Sequence, residues 1–394
     1  MISNLKFKTK TPKLRRLLLP SAPAVCSCLL LLLSAFCFLP SAQAAWVKQK
    51  TGSFAWLHSV FFVDGRRGWA VGGKGALLAT ADGGEHWEVR RPPTEDALQD
   101  VFFTDERTGW VVCVRSIYAP TKRDEARSYL LKTSDGGEHW SRVNVTGAGE
   151  DDLQLARVRF GDSERGWAFG ETGALYATAD GGATWTRQRV PTRHLLLGAS
   201  LLDAQQGWLV GAGSTLLQTS DGGTTWRAGQ VVGLPAQPSS PAQTVQASAQ
   251  PAQASTQLQT QTSTRLQALP RPAAGDGPRV SAASLRLNAV SFADARHGWA
   301  VGAGGVVLAT NDGGRTWRAQ ASGTDSDLFD VKFFDEREGW AVGGDGAAIH
   351  TTDGGASWRA ERTGTPHTLE RLFFVGRTRG WAVGFGGTII AFKE

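Results

Sequence analysis

Apolar residues along this chain come in short runs of four to six positions, each bounded by glycine, aspartate or other turn-forming residues. Residues 287–320 show the unit. Leu287 to Phe292 alternates, Asp294 to His297 turns, and Gly298 to Val301 is apolar. Gly302 to Gly305 turns again, Val306 to Thr310 is β-branched and apolar, and Asp312-Gly313-Gly314 turns before a run that opens at Trp317. Alternation with period two and short β-branched runs between turn residues predict strands, and no stretch carries a convincing helical period. The unit is four short strands joined by three tight turns.

The unit repeats. Gly-Trp occurs at Gly68-Trp69, Gly109-Trp110, Gly166-Trp167, Gly207-Trp208, Gly298-Trp299, Gly339-Trp340 and Gly380-Trp381, with successive tryptophans 41, 57, 41, 91, 41 and 41 residues apart. A second phrase, Thr-x-Asp-Gly-Gly-x-x-Trp, follows every pair but the last: Asp82 to Trp87, Asp135 to Trp140, Asp180 to Trp185, Asp221 to Trp226, Asp312 to Trp317 and Asp353 to Trp358. Four strands per period of about 40 residues is the arithmetic of a β-propeller blade. The predicted fold is therefore all-β, a seven-bladed propeller of four-stranded antiparallel blades. A β-solenoid is the competing repeat architecture, but its coils are shorter and use fewer strands.

The seventh unit stops after three strands. The missing fourth is found near the other end of the chain, where Trp46 to Gly52 repeats the text of Trp317 to Gly323 and Trp358 to Gly364. Residues from Trp46 are expected to pair with the run from Thr388 to Phe392 and close the ring, which removes open sheet edges. This places fourteen of the fifteen tryptophans in repeated positions and leaves Trp56 over. Each box aspartate can accept N–H groups of its own turn, and the paired glycines allow positive φ there. A tryptophan between blades removes some 150–250 Å² from water, an upper bound of roughly 4–6 kcal/mol. The box residues are read as structural.

Residues 1–44 read as an export signal. Six basic residues precede an apolar stretch densest from Cys28 to Leu39, and Ala42-Gln43-Ala44 supplies a small-residue cleavage site. Phe36 before Cys37 argues against a lipoprotein signal. All six charges of the segment are positive, so the +6 of the whole chain belongs to it and the remainder, 36 basic against 36 acidic residues, is neutral. That balance removes the basic excess that nucleic-acid binding wants. Three of four cysteines fall in the same segment, so Cys113 has no disulfide partner. Residues 231–283, rich in Pro, Gln, Ala, Ser and Thr, interrupt the repeat and are expected to be disordered. A shorter extension, Val114 to Ser128, lengthens the second hairpin of blade two.

Gly-Trp-Ala-Val-Gly and Asp-Gly-Gly-x-x-Trp resemble the text of the Asp-box (bacterial neuraminidase repeat) propellers. Within that group the chain is most similar to the seven-bladed photosystem II stability/assembly factor family. The resemblance implies a non-enzymatic assembly chaperone, exported to a periplasm or thylakoid lumen, that grips a membrane-protein precursor. It implies a protein client and no cofactor; a monomer is expected.

The sialidase set is missing: there is no Phe/Tyr-Arg-Ile-Pro, and the three tyrosines (Tyr118, Tyr129, Tyr176) lie in an extension and in strands. The histidines show no metal-ligand spacing, and each Asp-Gly turn offers one carboxylate where Ca²⁺ wants six to eight oxygens. Another glycan-binding or glycan-hydrolysing propeller is the alternative function. Alternating strand direction puts the box turns on one face, and the interblade links and both insertions on the other. The inner strands open on that second face at His58, Asp100, Arg157, Asp330, Glu370 and Arg371. Binding is expected there, with Arg157, Arg159 and Arg371 as basic contacts beside Asp330 and His58. The opposing reading leaves these charges as solvated loop residues or pairs them with Asp330 and Glu370.

Overall fold

A computed structural model describes residues 45–116, 126–145, 152–233 and 285–393. Its strands form seven separate sheets. Blade one runs from the axis outward through Leu57–Phe62, Gly68–Gly72, Leu77–Thr80 and Glu88–Val89, and the other blades repeat that order. The inner strands of blades two to seven are Ala97–Phe103, Leu155–Phe160, Leu196–Leu201, Leu287–Phe292, Leu328–Phe333 and Leu369–Val375. Each packs beside the next, and the seventh packs beside the first, so the sheets stand in a closed ring.

Closure is made as the repeat text requires. Ala45–Lys48 is the outer strand of blade seven, pairing antiparallel with Thr388–Lys393 in the register Trp46 with Phe392 and Lys48 with Ile390. One detail departs from expectation. Val231 and Val232, counted with the disordered insert, belong to the strand Gln230–Val232, which pairs parallel with Thr316–Gln320 and gives blade five a fifth strand. The exposed edge of that blade is a ready template for three more residues. Residues 234–283 of the expected insert, the blade-two extension from 117 to 125 and the N-terminal segment lie outside the described residues.

The core is divided into seven apolar clusters, one per blade interface. Three rings recur in six of them, and between blades three and four Leu201 takes the place of the phenyl ring. The Gly-Trp indole stacks on the last aromatic residue of the next inner strand, as Trp299 does on Phe333 at 3.5 Å and Trp208 on Phe292 at 3.6 Å, whereas Trp340 is tilted by 36° to Phe374. The box tryptophan meets the same phenyl ring edge-on, as Trp358 does Phe333 at 85° and Trp317 does Phe292 at 87°. Trp46 does this for blade seven, at 74° to Phe374. The glycine of Gly-Trp is needed because that ring lies across it: a Cβ on Gly298 would sit 2.4 Å from Phe292. All seven Gly-Trp indoles are buried, whereas Trp140, Trp185, Trp226 and Trp358 in the boxes are half-buried, because they sit on the rim strand. Full burial is thus reached by every Gly-Trp indole and, on the rim, by Trp46, Trp87 and Trp317 alone.

Each box is a capped turn. Asp180 Oδ1 accepts the Thr184 backbone N–H at 2.9 Å, and its Oδ2 accepts the Thr184 hydroxyl at 2.6 Å. His86 and His139 take the place of that hydroxyl through Nδ1, each 2.7 Å from its aspartate. The threonine before the box has a part that the aspartate-centred reading missed. Thr178 Oγ1 donates to Asp180 and accepts the N–H of Gly182 at 2.8 Å. Both glycines have positive φ, +64° and +76° for Gly181 and Gly182.

Candidate functional site

The two faces separate as strand direction demands. On one, the first glycine of each box donates its N–H to the turn between the first two strands, as Gly354 does to Arg337 O at 2.8 Å. On the other, the turn between the second and third strands donates to the residue that opens the inner strand, as Gly73 does to Trp56 O at 2.9 Å.

Every inner strand carries a fully buried leucine at its start, the first residue in six blades and the second in blade two: Leu57, Leu98, Leu155, Leu196, Leu287, Leu328 and Leu369. Between it and the third position the pairing register slips in all seven blades. Such a bulge inserts one unpaired residue and re-aims the side chains around it. Third positions hold Ser59, Asp100, Arg157, Gly198, Ala289, Asp330 and Arg371, and fifth positions include Arg159 and Lys332. The axial channel is thereby lined with charges of both signs.

Carboxylates stitch neighbouring inner strands together. Asp100 is completely buried. It accepts the Ser59 hydroxyl of blade one at 2.9 Å, and the Val158 N–H of blade three at 3.1 Å. Arg159 reaches the same carboxylate at 2.6 Å. Asp330 repeats the pattern toward blade seven, accepting the Leu372 N–H at 2.9 Å. Burial pushes the Asp330 carboxyl above its ordinary range, against the pull of Arg157. Where the carboxylates give out, serines serve: Ser200 accepts from Phe292 N and Ser291 from Phe333 N.

The arginines fare differently from one another. Arg157 is 7% exposed and donates through Nε to Leu197 O of blade four. Burial lowers its guanidinium to about 10, with Asp100, Asp330 and Glu370 opposing. Arg371 donates to the carbonyls of Glu370 and Phe329, while its Nε is buried without a partner. Arg159 keeps part of its surface on the channel, with its guanidinium above the Phe102 ring. Glu370 bonds His58 at 3.0 Å instead of an arginine. The structure therefore brings His58, Asp330, Arg157, Arg159 and Arg371 to the channel, but it pairs Arg159 with Asp100 and ties Arg157 into the wall.

Residues outside that expectation also gather here. Lys332 is exposed on its strand, yet burial by surrounding protein lowers its ammonium, against Asp330. Phe61 lies between Phe102 and Phe373, at 5.0 and 4.8 Å. Trp56, Phe385 and Phe54 are 44%, 49% and 94% exposed on the second face. A signal for the first of these was present in the sequence, since Trp56 is the one tryptophan outside both repeated positions.

Seven antiparallel blades built on four strands, capped Asp-Gly-Gly turns and a ring closed by pairing Ala45–Lys48 with Thr388–Lys393 define an Asp-box β-propeller. The chain matches the family described as "Photosynthesis system II assembly factor YCF48" over residues 91–193, 183–240 and 319–393, more than half its length, and it belongs to that family.

A curated relative, the photosystem II assembly lipoprotein Ycf48 of Synechococcus sp. (strain CC9902), is 33% identical over 64 residues; these are 16% of this chain and 19% of the relative. The match thus spans about a fifth of that protein's length. Among solved structures, YCF48 from Cyanidioschyzon merolae aligns with a TM-score of 0.61 at 20% identity, covering 89% of this chain and 99% of that one. A structure described as YCF48 bound to D1 peptide aligns with a TM-score of 0.62 at 19% identity, over 89% and 97% of the two chains. The GH74 xyloglucanase from Xanthomonas campestris aligns at 0.57 and 13% identity, over 88% of this chain and 53% of the enzyme. At these identities the likeness to solved structures is one of fold.

Proposed function

We propose that this protein is an exported, non-catalytic platform that binds a protein client during assembly of a membrane complex, as photosystem II assembly factors do. Membership of the YCF48 family carries the reading. The structure described as YCF48 bound to D1 peptide supports a client that is a segment of a membrane protein. The second face supplies the contact surface. Its loops vary from blade to blade on a rigid ring, and the channel mouth offers Arg159 and Arg371 together with His58 and Glu370. Arg157 serves as a buried support that fixes the blade-three and blade-four strands. The basic residues of 1–44 followed by an apolar stretch support export to a periplasm or thylakoid lumen, and no helix among the described residues is long and apolar enough to cross a membrane.

The test is fluorescence anisotropy with a labelled D1 peptide. Binding by the unmodified chain, weakened about tenfold by Arg159→Ala together with Arg371→Ala, supports the reading and its site. No binding to D1 or to any photosystem II core segment refutes the client. The GH74 likeness favours glycan chemistry as the second reading. Release of reducing sugar from xyloglucan by the purified chain would put that reading first.

A further inference from the structure

Blades seven and one meet at a rim unlike any other in the ring. At the residue before the buried leucine, blade one has Trp56, where the other blades have Ala97, Gln154, Leu195, Arg286, Asp327 and Thr368. At the first residue of the turn after the second strand, blade seven has Phe385, and no other blade has an aromatic residue at either place. The two rings meet edge-on at 5.3 Å and 81°, Trp56 rests on His58 at 5.6 Å, and His367 stands at 90° to Phe385. Phe54, in the link between the blades, is 94% exposed and has no ring contact among the described residues.

Two lysines flank them. Lys74 follows Gly73, whose N–H is bonded to Trp56 O, so it stands on one side of the aromatics. Lys50 precedes Thr51, whose hydroxyl donates to Gly387 O in the Phe385 turn at 2.9 Å, so it stands on the other. Both lysines are exposed, and neither forms an ion pair among the described residues. Of the nearby carboxylates, Glu370 is held by His58, and the exposed Glu95 follows Thr94, which packs on Gly75 beside Lys74. Aromatic rings with a polar surround concentrate at the membrane–water interface, and unpaired lysines beside them gain from anionic headgroups.

We infer that this rim is a membrane-contact patch: Phe54, Trp56 and Phe385 enter the interfacial zone of a bilayer while Lys50 and Lys74 meet anionic headgroups. The inference does not depend on the client. It would hold the channel-mouth face toward the membrane in which a client segment emerges.

The experiment is co-sedimentation of the chain, expressed from its full sequence and purified as the host leaves it, with vesicles of phosphatidylcholine with or without phosphatidylglycerol. The triple variant Phe54→Ser, Trp56→Ser, Phe385→Ser is expected to lose about tenfold or more in partitioning to both vesicles. Lys50→Gln with Lys74→Gln should weaken binding to the anionic vesicles alone, and added salt should remove that difference. Lipids brominated on the acyl chain should quench tryptophan fluorescence in the unmodified chain more than in Trp56→Phe. An unchanged denaturation midpoint shows that the variants remain folded. Equal partitioning of the unmodified chain and the triple variant, or no partitioning by either, overturns the inference. Loss of D1-peptide binding in the triple variant without vesicle binding by the unmodified chain assigns the rim to a protein partner and equally overturns it.

Discussion

Trp46 stands edge-on to Trp340, ring centres 5.6 Å apart and planes at 81°, although one belongs to the first described strand and the other to blade six. Trp46 is 7% exposed and also touches Phe374 and Phe392. It fills the place that a box tryptophan fills elsewhere, but from a strand with no box before it. Trp140 and Trp317 give their indole N–H to the second glycine of their own boxes, and the Trp46 N–H has no partner among the described residues.

Trp46→Ala is therefore expected to cost about 3–5 kcal/mol, the usual range for emptying a large aromatic site. Trp46→Phe should cost much less, since no hydrogen bond is lost. Urea denaturation followed by tryptophan fluorescence measures both. Equal losses for the two variants would show that the site is not a packed closure.

Asp100 is a second point of concentration. Replacing it with Ala strands Arg159 and the Val158 N–H without their shared acceptor. The expected loss is about 3–5 kcal/mol, as for breaking one side of a buried ion pair. Ser59→Ala removes one neutral hydrogen bond to the same carboxylate and should cost about 1 kcal/mol. Denaturant midpoints at neutral pH compare the two.

Gly298→Ala places a methyl group against the Phe292 ring, which is stacked on Trp208 at 3.6 Å. The ring must leave its stack, and the expected loss is about 1–3 kcal/mol. In blade four the clash at Gly207 is with Trp167 instead, because the equivalent position is Leu201. A crystal structure of Gly298→Ala should show Phe292 displaced while the other six wedges are unchanged.

The box turns predict a pH profile. Hydroxyls of Thr184, Thr225 and Ser357, together with backbone N–H groups, hold the Asp180, Asp221 and Asp353 carboxyls down to about 2, from an ordinary 3.8. A carboxyl with a lowered folded-state pKa is protonated more readily in the unfolded chain, so its contribution is complete above the ordinary value and disappears as pH falls toward 2. The unfolding midpoint should be level above about pH 5 and drop between pH 4 and 2. Asp180→Asn with Asp221→Asn should make that drop shallower. A profile unchanged by the two substitutions would remove the boxes as its source.

The repeat was legible because each blade must satisfy the same geometry with local residues. The Asp-Gly-Gly turns report local geometry that sequence-adjacent atoms complete, and the spacing of Gly-Trp and the copy of a rim strand at Trp46 report a wedge that every blade repeats. Blade number, strand order and ring closure follow from that text. Three-dimensional packing decided the rest. Asp100 and Arg159 lie 59 residues apart, and their bond is made by two inner strands facing one channel. A charge pattern along the chain does not say which arginine a carboxylate will hold, so Arg157 reads as a contact until its burial in the wall is seen. Trp56 and Phe385 lie still further apart in sequence and meet only because the first and last blades are neighbours in the closed ring. Local turns are fixed by short-range sterics and hydrogen bonds that the sequence states directly, whereas the channel and the rim are products of closure.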